Sequence, residues 1–246
     1  MKTKFLLFLI MILSFFGCRK YKSVTSEDFH QLVAQNNISE VTYHLENNYN
    51  LECEINAGVT PIMTASLNNN TEIIKLLLKN KANINKQTQS GWTALLYASK
   101  EGNYETVKLL LDNNANINLY LKGGENAFIE ACSAQQEKVA LLLLDRGIDV
   151  NTIKNEIGLN GLIVASNFGT LELVKKTLER TDDINHQNIY GETALMRATM
   201  QGHKDVVEYL IEKGAKKDIK DSYKNDALFY AKKFNHPEIN GLLQKQ

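Results

Sequence analysis

The sequence predicts an all-α solenoid in which helix-turn-helix units are joined by extended, β-hairpin-like loops. Three observations carry that expectation. A seven-residue motif recurs with its first residue at Glu27, Thr60, Thr93, Asn126, Asn160, Thr193 and Asp226, every step being 33 residues except one of 34. A glycine stands two places before the motif at Gly58, Gly91, Gly124, Gly158 and Gly191, and Asn225 stands one place before the last copy. An alanine follows five places into it, at Ala65, Ala98, Ala131, Ala165, Ala198 and Ala231. Recurrence at such a period marks an array whose units bury their apolar faces only on their neighbours.

The first 17 residues read as an address. Lys2 and Lys4 precede an apolar run from Phe5 to Phe16, broken only by Ser14. Twelve helical residues span about 18 Å, well short of the roughly 30 Å hydrocarbon core, so a secretory leader is expected over 1–17. Gly17 and Cys18 follow, with Phe15 and Phe16 before them. This resembles the lipobox of bacterial lipoproteins, with Phe15 and Phe16 where leucine and a small residue are usual. The resemblance implies a lipidated Cys18, a tether over residues 18–25 and an anchor in the bacterial cell envelope. Arg19, in place of an inner-membrane retention aspartate, points to the outer membrane.

Residues 26–244 carry the repeats, beginning near 26, 59, 92, 125, 159, 192 and 225. The glycine column wants positive φ, which glycine adopts freely and asparagine next most easily. The Thr, Asn or Asp opening each motif suits a helix N-cap, and Pro61 suits a first helical turn. Small side chains in the alanine column, with Ser66, Ser99, Cys132, Ser166 and Thr199 beside them, let helices approach closely. A second helix follows, marked by Ile73, Ile74, Leu77 and Leu78 and by Val107, Leu110 and Leu111 on one face. Ala-Asn-Ile-Asn at 82–85 and 115–118, and Ile-Asp-Val-Asn at 148–151, read as a short extended arm. The end copies are expected to act as polar caps, through Tyr43 and His44 at one end and Lys232 and Lys233 at the other.

Taken together, the glycine, alanine and asparagine columns resemble the ankyrin-repeat family across residues 26–244. Where that family has Thr-Pro-Leu-His, this chain has Met63, Leu96, Ile129, Ile163, Met196 and Phe229 in the histidine place, and only His30 matches. The resemblance implies a protein partner, contacted through loop tips and the exposed ends of the first helices. Carried onto this chain, those columns select Trp92, Tyr120, Ile157, Leu159, Phe168, Ile189, Tyr190, Met200 and Tyr223, with an apolar concentration in repeats five to seven. Aromatic side chains and methionine are enriched at the centres of interfaces.

Composition narrows the alternatives. Lys plus Arg equals Asp plus Glu at 28 each, so the broad basic field of a nucleic-acid binder is missing. His203 and His236 share a column and should stack about 8–10 Å apart, too far for one zinc with its ligands at about 2 Å. Cys53 and Cys132 are expected roughly 25–30 Å apart and unbridged, Cys132 packed and Cys53 an exposed thiol. Asp182 and Asp183 read as a solvated turn. No catalytic residue, cofactor or metal is expected. The chain reads as a monomeric, lipid-anchored envelope protein that binds another protein. An inhibitor or immunity protein blocking a toxic enzyme is one alternative, and a cytoplasmic or host-directed scaffold without an anchor is another.

Overall fold

The computed structural model describes residues 24–151 and 155–244. Cys18, the leader over 1–17 and most of the tether lie outside them. Among the described residues there are fourteen helices and no strand, only the isolated bridges Ile55–Val59 and Tyr120–Asn126. The hairpin-like arms close without regular strands, through backbone bonds such as Thr88 N–H to the Trp92 carbonyl and Asn188 N–H to the Glu192 carbonyl.

The helices come in seven antiparallel pairs. They are α1 (Ser26–Ala34) with α2 (Ile38–Glu46), α3 (Pro61–Leu67) with α4 (Thr71–Lys79), and α5 (Ala94–Glu101) with α6 (Tyr104–Asp112). Then come α7 (Ala127–Ser133) with α8 (Glu137–Asp145), α9 (Gly161–Phe168) with α10 (Leu171–Leu178), α11 (Ala194–Gln201) with α12 (Lys204–Glu212), and α13 (Ala227–Lys233) with α14 (Pro237–Gln244). First helices stack on first helices and second on second, giving two layers around one continuous core.

Local chemistry explains the boundaries. Thr93, Asn126, Asn160, Thr193 and Asp226 each accept a bond from the backbone N–H three residues on, capping α5, α7, α9, α11 and α13. Thr25 and Asp28 cap α1 reciprocally. The alanine column is buried throughout, so consecutive first helices pack closely. At Gly191 φ is +74°, and a Cβ there would lie 2.8 Å from the Asp221 Cα of the next loop. That glycine serves both the turn and the close approach of adjacent loops.

Asparagines tie one repeat to the next. The Oδ1 atoms of Asn85, Asn151 and Asn185 accept from the backbone N–H groups of Asn116, Asp182 and Lys216, at 2.8, 3.1 and 2.8 Å. A second row joins the start of four second helices to the end of the first helix one repeat earlier. Asn70 and Asn103 donate to the carbonyls of Val33 and Ser66, and His203 and His236 donate to those of Asn167 and Met200. The histidine pair thus holds the same structural place as the asparagines. Asp183 accepts from Asn185 N–H at 2.8 Å within its own turn.

Two expectations need correction. Cys53 is buried, not exposed, because the loop after α2 folds under α1 and its carbonyl accepts from His30 at 3.1 Å. Burial pushes both the Cys53 and the Cys132 thiols upward in pKa, and both are free. The caps are also less polar than expected. His44 is buried against the rings of Phe29 and Tyr49, and the last repeat leaves Phe229 and Phe234 exposed.

Candidate protein-binding surface

The loop tips are joined through their backbones. Gln89 N–H donates to the Ala57 carbonyl and Lys122 N–H to that of Ser90, at 2.9 and 3.0 Å. Further along, Ile189 N–H donates to the Ile157 carbonyl and Ser222 N–H to that of Tyr190, both at 2.9 Å. Glutamines brace the same loops: Gln87 donates to the carbonyls of Gly91 and Tyr120, and Gln187 to those of Gly191 and Lys220. His186 adds a bond to the Gly158 carbonyl at 2.9 Å. The tips therefore form two braced runs, one across repeats two to four and one across repeats five to seven. The 34-residue step lies between them.

The second run brings sequence-selected residues together. Ile157, Ile189, Tyr190 and Tyr223 are exposed along it, Ile189 at 62% and Tyr223 at 77%. Leu159, Phe168 and Met200 are half-buried and pack on the core, so they support the surface more than they form it. Trp92 and Tyr120 belong to the first run. The Tyr120 side chain is exposed. Trp92 stacks on Tyr97 with centroids 4.7 Å apart, and Lys100 Nζ lies 4.9 Å over its ring. Sequence reasoning missed Tyr97, although it stands three places before Lys100, on the same face of the helix.

Two hollows flank these runs on the first-helix side. An open groove of about 420 Å³ is lined by His30, Val59, Met63, Leu67 and Tyr97 among others. A smaller one of about 140 Å³ is lined by Ile129, Leu159, Ile163, Val164 and Arg197. Arg197 is held by Glu192 at 2.7 Å. Burial raises the Tyr97 and Glu130 pKa values, and in Glu130 the charge of Lys100 opposes that rise. Among the described residues no cluster of three His, Cys, Asp or Glu side chains is placed to hold a metal ion. No helix among them is long and apolar enough to cross a membrane.

Stacked helix pairs with braced, side-chain-bearing tips define a repeat protein of the interaction type. The family described as ankyrin repeats (3 copies) matches residues 29–120 and 162–246, and the chain belongs to it. Among relatives, the rat ankyrin repeat and SAM domain-containing protein 6 is 40% identical over 67 residues, which are 27% of this chain and 8% of that protein. The chain thus matches only a small part of that relative's length. The ankyrin repeat domain of human ASB11 aligns over 89% of this chain and 98% of its own, with a TM-score of 0.76 and 23% identity, a likeness of fold. A chain in the complex of the predatory endopeptidase Bd0816 of Bdellovibrio bacteriovorus with immunity protein Bd3460 aligns over 75% of this chain and 97% of its own. Its TM-score is 0.68 and its identity 28%.

Proposed function

We propose that this chain is a lipid-anchored envelope protein that captures another protein on the tips of repeats five to seven and catalyses no reaction. The observation that carries the reading is the strip Ile157, Ile189, Tyr190 and Tyr223, exposed along loops already bonded to one another. A surface fixed before binding loses little freedom on association. Its large apolar groups supply the desolvation that binding hot spots use.

Crosslinked pull-down from native envelope, comparing the wild type with Tyr190→Ala/Tyr223→Ala, tests the surface. Capture should fall at least about tenfold with far-UV circular dichroism unchanged. Undiminished capture would remove the tip strip from the account. The anchor is tested separately. Palmitate-type label on the chain should vanish in Cys18→Ala, and a wild type that takes no label favours the unanchored scaffold.

A second reading, an immunity protein that blocks a toxic enzyme, is supported by the alignment with the endopeptidase–immunity complex. In that case the captured partner is a hydrolase, and adding this chain at equal concentration abolishes its activity. A captured partner whose activity is untouched would exclude it.

A further inference from the structure

We propose that the last described repeat presents a cationic, aromatic face that takes an acidic protein segment bearing apolar side chains, and that this face continues the tip strip through Tyr223. The inference rests on the protein-binding reading above and names the chemistry of the partner.

The first observation is a break in a buried column. Met63, Leu96, Ile129, Ile163 and Met196 are each 4% exposed or less, whereas Phe229 in the same place is 42% exposed. Phe234, one turn on, is exposed too. A repeat serving only as a soluble end would carry polar groups at these places. Lys233 Nζ instead lies 5.9 Å from the Phe229 ring centroid and 5.5 Å from that of Phe234.

The second observation is charge. Residues 213–233 hold seven lysines and three aspartates in a chain whose formal net charge is zero. Lys220, Lys224 and Lys233 are exposed and form no ion pair among the described residues. Two of the three aspartates are occupied by the chain itself, and Asp218 is exposed. Asp221 is buried and accepts from Tyr223 N–H, Asn225 N–H and the Tyr230 hydroxyl, and Asp226 caps α13 through Phe229 N–H. Unpaired cations beside apolar rings attract carboxylates more strongly than cations in open water, because the rings exclude solvent.

The patch is a poor match for other anionic surfaces. It contains no arginine, the residue best suited to phosphate. It also lies six repeat steps from the first repeat, about 60 Å along the stack at about 10 Å per repeat.

Panning a phage-displayed random dodecapeptide library on the purified chain tests this directly. The expected result is enrichment of peptides with net negative charge and at least one aromatic or leucine. The consensus peptide should bind at least about tenfold more weakly to Lys224→Glu/Lys233→Glu, and in about 0.5 M rather than about 0.05 M salt. Circular dichroism should be unchanged, since both lysines are exposed. Neutral or basic consensus peptides, no enrichment, or equal binding to the double variant would overturn the proposal. So would lysine-dependent binding of phosphatidylglycerol vesicles or oligothymidylate where acidic peptides fail. Neutral peptides that still depend on Tyr190 and Tyr223 would overturn the acidic partner and leave the tip strip standing.

Discussion

His30 is a buried ring with both nitrogens engaged, so its proton balance reports on the first repeat. Its Nε2–H donates to the Cys53 carbonyl, and in the neutral ring Nδ1 accepts from the Thr64 hydroxyl at 2.6 Å. Burial, against the opposing Cys53 bond and the charge of Glu27, lowers its pKa from the ordinary 6.5. The folded state therefore binds fewer protons than the unfolded one below that pH. The stability tied to the neutral ring is complete above about pH 6.5 and is lost as pH falls through the lowered value. Thermal midpoints measured at pH 7.5 and pH 5.5 should differ more in the wild type than in His30→Gln. Gly191→Ala should lower stability by about 1–3 kcal/mol in urea titrations, because positive φ and the Asp221 backbone both oppose a Cβ. Gly214→Ala, at φ +92° with nothing within 4 Å of the added carbon, should cost less. The role of Gly191 was legible from spacing alone. The burial of Cys53 was not, because it depends on a ring 23 residues earlier reaching back over the loop.

At the scale of one helix pair, capping and the asparagine ties govern how firmly the unit holds its neighbours. Thr193 accepts from Met196 N–H, and Thr193→Ala should cost about 1 kcal/mol. Asn185 accepts from Lys216 N–H across the boundary between repeats five and six, so Asn185→Ala should cost about 1 kcal/mol and raise amide exchange in repeat six above that in repeat three. Equal exchange in both would show that the tie does not couple them. The first-residue column disclosed the caps, because Thr, Asn and Asp share one property, an oxygen reaching three residues on. The asparagine column was seen as a pattern, but its partners were hidden: each bond joins residues 31 apart, visible only once neighbouring loops are stacked. Tyr97 was overlooked since its column holds Gln31, Thr64, Glu130, Val164 and Arg197 elsewhere, and only Tyr230 repeats its ring.

For the whole molecule, stacking makes stability a sum of unit and interface contributions, so damage stays local. Acidification that protonates His30 should open α1 to α3 first while α11 to α14 keep their exchange protection. Simultaneous loss of protection throughout would contradict that picture. The seven-pair architecture was legible because each unit repeats the same physical problem and solves it with the same residue types. The binding surface was legible only in part. Spacing picks out loop-tip and helix-end columns without telling exposed from half-buried residues, so Tyr190 and Phe168 were both selected although only Tyr190 stands free of the core. Phe229 escaped notice for the converse reason, since the other six places of its column are buried.

The N–H to carbonyl links between Ile157 and Ile189, and between Tyr190 and Ser222, bear on how fast recognition occurs. Loops tethered in this way reach a visiting molecule already in their final shape. Encounter, rather than rearrangement afterwards, then sets the pace, and a stopped-flow trace should follow one exponential whose rate rises linearly with reactant concentration. Cutting one link by Ser222→Pro removes the donor, and the same trace should then acquire a slower, concentration-independent phase.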